Sequence, residues 1–268
     1  MQTISRIARI YGHRRVLSIL VQRDLKVRFG RSVLGYVWTL IDPLAMAGVY
    51  YLVFGLVFQR AEVESLPFMV FLLAGLLPWN WFNLSITETA RALYSERLLV
   101  RSTNIPREIW VIRVVLAKGV EFILPLPILA GFVAYYVATG DITLNWRLVL
   151  ILPALVIQFV LLIGMGLVMA PVTALVEDFV RAVRILLRVL FYLTPILYSP
   201  AALEGFEWAV GLIKLNPLTG IIEMYRGGLT DGPLDMAAIG ISALFALGWL
   251  ALGGWIFSRL ERPVIKEI

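Results

Sequence analysis

Residues 148–176 read LVLILPALVIQFVLLIGMGLVMAPVTALV and contain no Asp, Glu, Lys or Arg. A helix rises about 1.5 Å per residue, so about 20 apolar residues cross the roughly 30 Å hydrocarbon core of a bilayer. This stretch reads as a membrane-spanning helix. Outward from it, apolar runs lie at about 33–58, 67–90, 109–138, 183–198 and 237–258, and with it they predict six crossings. The fold class is therefore an all-α polytopic membrane protein. Composition agrees: of 268 residues, 60% are hydrophobic and 16% charged, against about 45–50% and about 25% in soluble domains. A water-soluble globule is excluded. There is no cysteine and a single histidine, His13. Disulfide frameworks, thiolate chemistry and polyhistidine metal sites are excluded with them, and no metal site is expected.

Charge orients the spans. Basic residues gather at Arg6–Arg31, Arg91–Arg113, Arg181–Arg188 and Arg259–Lys266; the opposite side has Arg60, Arg147, Lys214 and Arg226, and Lys118 lies within a span. The positive-inside rule puts both termini in the cytoplasm of a bacterial inner or plasma membrane. The outer face is mildly acidic, with Glu62, Glu64, Asp141, Glu204, Glu207, Glu223, Asp231 and Asp235. The apolar run Val16–Val21 is short and is followed by Arg23, Asp24 and Lys26, so no cleavable signal is expected. Three regions result: an interfacial amphipathic region 1–32, a transmembrane domain 33–258 and a cytoplasmic tail 259–268.

Within 1–32, Leu17, Leu20, Val21 and Leu25 share one helical face and Arg15, Gln22 and Lys26 the opposite one, the pattern of a helix in the headgroup layer. It serves either as an anchor on anionic lipid or, through Lys26, Arg28 and Arg31, as a site for a lipid-linked phosphate, whose oxygens suit arginine forks. A break or kink is expected at Asp42-Pro43, with Asp42 capping a helix that starts at Pro43; the alternative is a coupling-ion ligand. Tyr36 and Trp38 precede it as interfacial aromatics. The connection 94–110 carries Ser95, Glu96, Arg97, Arg101, Asn104 and Arg107. It is either a solvated loop or a docking surface for a cytoplasmic partner.

Lys118 and Glu121 are spaced to pair within their span. Arg181, Arg184 and Arg188 form one helical stripe that must face water, a partner or a polar conduit. Phe191, Tyr192 and Tyr198 follow it, either as core aromatics or as faces on which sugars stack. Segment 200–235 divides at Asn216-Pro217, a cap followed by a proline at the first helical position, and its second arm bears Glu223 and Arg226. Neither half is long enough to cross, so an outer re-entrant hairpin between the fifth and sixth helices is expected, or a hairpin lying on the surface.

No G-x-x-x-x-G-K-[ST], H-E-x-x-H, G-x-S-x-G or G-x-G-x-x-G occurs. ATP binding by a phosphate loop is excluded, and the membrane orientation already accounts for the basic residues without nucleic acid.

Five stretches resemble a family: RDLKVRFGRSVLGYVWTLIDP (Arg23–Pro43), LLAGLLPWNWF (Leu72–Phe82), NIPREIW (Asn104–Trp110), LTPILYSP (Leu193–Pro200) and NPLTGIIEMYR (Asn216–Arg226). In this order they are similar to the membrane subunit of type 2 ABC exporters of cell-surface polysaccharides such as O-antigen, capsule, teichoic acid or galactan. The resemblance implies six spans per subunit, a homodimer around a conduit and two separate ATP-binding cassette subunits beneath, where ATP and Mg are held. It also implies an interfacial gate helix at Leu17–Arg28, outer gate helices at the hairpin and a coupling helix within Ser95–Arg107. On this basis a polyprenyl-pyrophosphate-linked glycan is expected to meet Lys26, Arg28 and Arg31, then Arg181, Arg184 and Arg188, with no catalysis in this chain. Two rivals remain: an integral membrane glycan-lipid transferase using Glu204, Glu207 and Asp231 as bases, and an ABC exporter of drugs or small lipids.

Overall fold

The computed structural model describes residues 9–30, 32, 34–59, 62–203 and 205–267; Arg31 and Glu204 lie outside the described residues. The chain opens with α1 (Arg14–Phe29) and enters α2 (Trp38–Tyr50) through a 3-10 turn, Gly35–Val37. Tyr51–Val57 then widens into a π-helical turn. Two minimal strands, β1 (Glu62–Val63) and β2 (Leu66–Pro67), pair antiparallel with Val63 opposite Leu66. Their two-residue turn, Glu64–Ser65, has φ of 53° and 61°, the left-handed pair of a type I′ hairpin.

Next come α3 (Phe68–Thr89), the short α4 (Ala92–Ser95) and α5 (Arg97–Ser102), and the pair α6 (Glu108–Ile123) and α7 (Leu126–Thr139). A 3-10 turn, Trp146–Leu150, leads into α8 (Ile151–Leu175), followed by α9 (Phe179–Leu193). The last elements are α10 (Glu207–Lys214), α11 (Pro217–Arg226) and α12 (Met236–Glu267).

Among the described residues, five segments are long and apolar enough to cross a membrane: Gly35–Val57, Phe68–Thr89, Glu108–Thr139, Trp146–Leu175 and Met236–Glu267. The fifth expected crossing is instead a 15-residue helix, α9, about 22 Å long. It stops at Thr194-Pro195 because the residue before a proline disfavours helix. Proline also divides the third segment, where α6 ends before Leu124-Pro125 and α7 restarts. At Asp42-Pro43 the expectation is overturned. The helix starts earlier, at Trp38, and runs through Pro43, so Asp42 sits inside it and caps nothing. Five residues already precede the proline in α2, and Thr39 Oγ1 donates to the Tyr36 carbonyl at 2.6 Å to hold that first turn. Residues 259–267 continue α12 without a break.

α3 is the axis of the bundle. Its apolar residues are almost all buried, Leu72, Leu76, Phe82 and Ile86 to 2% exposure or less, and they pack against Leu161 of α8, Leu187 of α9 and Ile221 of α11. Several buried polar groups inside this core are satisfied across helices, the arrangement a bilayer favours. Gln158 Nε2 donates to the Pro78 carbonyl at 2.8 Å, and Tyr225 OH donates to Gln158 Oε1 at 3.1 Å. Arg226 is stacked on Phe71 at 3.5 Å and donates to the carbonyls of Phe71, Pro195 and Ile196. Gly75 leaves the room it needs: a Cβ there would lie 2.6 Å from the guanidinium.

α1 does not lie with its apolar face on lipid. Leu20, with Val16 and Leu17, packs against Leu93, Val100, Ile109 and Trp110 and the end of α12 at Phe257. We call this the basic end; the β-hairpin, α10 and α11 lie at the far end.

Candidate functional site

Three cavities line up along the one polar stripe of α3, formed by Asn80, Asn83, Thr87 and Glu88. At the basic end, a cavity of about 560 Å³ is bounded by Arg23, Asp24 and Arg28 of α1, Glu88 and Arg91, Ser95 and Glu96, and Arg113, Lys118 and Glu121 of α6. A second, of about 520 Å³, shares Thr87 with it and is bounded by Tyr50, Trp79, Asn80, Asn83, Arg184, Arg188, Phe191 and Tyr192. A third, of about 230 Å³, shares Asn80 and Asn83 with the second and Arg28, Lys118 and Glu121 with the first, and adds Trp38 and Asp42.

The charges of the first cavity form two clusters. In one, Lys118 Nζ lies 2.9 Å from Glu121 and 2.7 Å from Glu88, and Arg28 reaches Glu88 at 2.7 Å and Glu121 at 3.5 Å. The expected Lys118–Glu121 pair is there, but it is half of a larger group that ties α1 to α3 and α6. In the other, Arg113 donates to Asp24 at 2.7 Å and reaches Glu96 at 3.3 Å, while Arg23 pairs with both Asp24 and Glu96. Burial lowers the Arg23 pKa more than any other single influence, yet the hydrogen bonds and charges of Glu96 and Asp24 together raise it. Each cluster balances two cations with two carboxylates, which is what allows Arg113 and Lys118 to sit at 3% and 2% exposure.

The second cavity has a different chemistry. Phe191 stacks with Tyr50 at 5.9 Å and meets Trp79 and Tyr192 edge-on at 5.4 and 5.2 Å. Arg184 and Arg188 lie one helical turn apart on α9, with Leu187 beside them in the cavity wall, and α9 is anchored by the buried Val183 and Leu187. Among the described residues neither arginine has a carboxylate within ion-pair distance.

Several residues expected at this site stand elsewhere. Arg181 is exposed and pairs with Asp178 at 3.6 Å, and Lys26 is exposed and lines none of the three cavities. Tyr36 stacks on Phe29 at 4.4 Å, and Tyr198 OH donates to the Tyr192 carbonyl at 2.9 Å. Neither ring lines the passage. In the 94–110 connection, Glu96 faces the first cavity, Arg97 stacks over Tyr94 at 5.4 Å, and Arg101 ends α5. Asn104 and Arg107 line a small cavity of about 100 Å³ with His13 and Glu261, Arg107 lying 3.9 Å from Glu261.

At the far end, Asn216 caps α11 as expected, accepting from Leu218 N at 3.0 Å, with Pro217 at its first position. α11 is buried while α10 is exposed, Trp208 to 74%. Glu223 accepts from Asp235 N at 3.3 Å, and Asp235 in turn caps α12 and pairs with Lys214 at 2.8 Å. Burial pushes the Asp235 pKa up, but Lys214 and the backbone donors of Ala238 and Ala237 carry it below the ordinary value. Asp231 is held low by hydrogen bonds from Thr143 and Asn145. Glu207 opens α10, and neither it nor Asp231 lines the three cavities.

Asn80, Asn83 and Thr87 escaped the sequence reading although they recur one face apart in an apolar helix. Asp24 and Arg113 escaped it for want of any visible pairing.

The ABC-2 type transporter family profile matches residues 15–230. The chain is 30% identical over 247 residues to the O-antigen export system permease protein RfbA of Klebsiella pneumoniae, covering 92% of each. It is 30% identical to the RfbA of Myxococcus xanthus over 81% of each chain. It is 24% identical to the polysialic acid transport protein KpsM of Escherichia coli, over 92% of this chain and 94% of that one. With most of its length inside the family profile and its helices of spanning length gathered around α3, the chain belongs to the ABC-2 type transporter family.

Proposed function

We propose that this chain is the membrane subunit of an exporter that moves a polyprenyl-pyrophosphate-linked cell-surface polysaccharide outward, driven by two separate ATP-binding cassette subunits. The observation that carries this reading is the junction at Thr87 of two unlike cavities, one lined by clustered charges and the next by aromatic rings and arginines. A lipid pyrophosphate suits the first and a sugar chain the second. The relatives named for O-antigen export and polysialic acid transport support the substrate class.

Two copies face each other across α2 and α9, enclosing Arg184 and Arg188. Tyr192 at 69% and Ile185 at 62% exposure favour this arrangement, because unpaired arginines are costly against lipid tails. α9 and the following Thr194–Ser199 segment make the sixth crossing, both termini are cytoplasmic, and α10–α11 form a re-entrant outer gate that includes Asn216, Pro217, Glu223 and Arg226. ATP and Mg²⁺ belong to the cassette subunits, which dock on the 94–110 connection. Their movement reaches α1 through Glu96, bonded to both Arg23 and Arg113. The headgroup displaces carboxylates from Arg28 and Arg23 as that link shifts.

Replacing Arg184 and Arg188 together with glutamine is expected to abolish glycan export in cells while the cassette subunits still co-purify. Export at the wild-type rate overturns the reading.

A further inference from the structure

Asn80, Asn83 and Thr87 are polar groups that the helix packing described above does not account for. They stand at i, i+3 and i+7 on α3, so they form one stripe, and that helix is otherwise packed with buried apolar side chains. Among the described residues none of the three side chains has a hydrogen-bond partner. All three are only partly buried, and they border the cavity of about 520 Å³, a size within the range of small-molecule sites. An amide facing hydrocarbon without a partner is strongly disfavoured, because nothing there replaces the hydrogen bonds it made to water, so the stripe faces something polar.

The lining narrows what that is. Among the described residues no carboxylate lines this cavity, which removes the usual ligands for a metal cation. A bare anion would call on Arg184 and Arg188 but has no use for the rings of Tyr50, Trp79, Phe191 and Tyr192. An amide offers donors and an acceptor together, the pair of roles that neighbouring hydroxyl groups present. Rings on one wall and amides on the other match the two faces of a pyranose, one carrying C–H groups and the other hydroxyls.

We infer that Asn80 and Asn83, with Thr87, form a hydroxyl-reading track for the sugar residues of the cargo, opposite the aromatic wall, and that Arg184 and Arg188 bias the track toward acidic sugars. This rests on the export reading above and adds to it the residues that read hydroxyl groups.

The test uses the full complex with its cassette subunits in lipid nanodiscs. The probe is oligosaccharide released by mild acid from the producing cell's own surface polysaccharide, and inorganic pyrophosphate is the sugar-free control. Binding is read by fluorescence of Trp79, in the cavity wall, in a background where the other tryptophans are phenylalanine. The oligosaccharide is expected to change that fluorescence, pyrophosphate is not, and N80L/N83L is expected to weaken oligosaccharide binding about tenfold by losing two hydrogen bonds. N80Q/N83Q restores part of the affinity, which a purely packing role would not produce. In cells the leucine pair is expected to lower export and the glutamine pair to restore part of it. Undiminished binding and export in N80L/N83L overturns the track but leaves the export reading standing. Failure of the wild-type complex to export glycan overturns that reading instead. If the leucine pair does not assemble, the wild-type titration decides: no response to oligosaccharide overturns the track.

Discussion

Asp231 and Asp235 hold the connections of the far end only as ionised carboxylates. Asp231 accepts from Thr143 Oγ1 at 2.7 Å and so joins the α7–α8 connection to the loop after α11, while Asp235 joins α10 to the start of α12. Both folded-state pKa values lie below their ordinary ones. The sign follows: these groups stabilise the folded connections above the unfolded carboxylate value of about 4, and the contribution is lost as pH falls through the lower folded values. Hydrogen-exchange protection factors of residues 228–236, taken relative to the intrinsic rate at each pH, are therefore expected to be the same at pH 7 and pH 5 and to fall below about pH 4, with Asp231→Asn removing part of that change. Loss of protection between pH 7 and pH 5 would contradict this assignment. Arg226 answers a different need at the same scale, since removing it would strip donors from three buried carbonyls at once.

Helix pairs are held by close backbone approach. α8 and α12 meet where a Cβ on Gly164 would collide with the backbone of Trp249 and Leu250, and one on Gly253 with the Gly164 carbonyl. In lipid, helix association relies on packing, so small residues at the crossing matter more than apolar ones. Gly164→Leu is expected to cost about 3 kcal/mol or more, because backbone cannot yield as a side-chain tip can. The check is membrane yield and thermal unfolding in detergent. Gly254→Leu, where a Cβ meets nothing within 4 Å, is expected to match the parent protein.

For the molecule as a whole, the export reading proposed above needs a contact for the cassette subunits at the basic end, and α5 is the exposed helix we propose for it. Leu98 there is 79% exposed while its neighbour Val100 is at 1%, so the helix is anchored on one side and leaves an apolar residue to a partner on the other. Leu98→Glu is expected to leave thermal unfolding of this chain unchanged and to weaken co-purification of the cassette subunits at least about tenfold, by loss of an apolar anchor. Retention of a stoichiometric ATPase in that variant would place docking elsewhere.

Much of this architecture was legible in the order of residues. Apolar runs longer than a bilayer can only be spans, so 33–58, 67–90, 109–138, 148–176 and the start of the last helix were found within a few residues. Asn216-Pro217 announced its cap, and Lys118–Glu121 its pair, because both are local contacts set by helical spacing. What stayed hidden was long-range. Asp24 finds Arg113 across 89 positions and Arg28 finds Glu88 across 60, and no periodicity encodes such partners. The helix at Pro43 ran on because upstream residues supplied a first turn, a choice local propensity does not settle. Composition and spacing commit a chain to cross lipid, since each residue's transfer into hydrocarbon is its own property. Which arginine is neutralised and which is left facing a cavity depends on how the helices pack, since charge pairing is a property of two residues at a distance that packing alone sets.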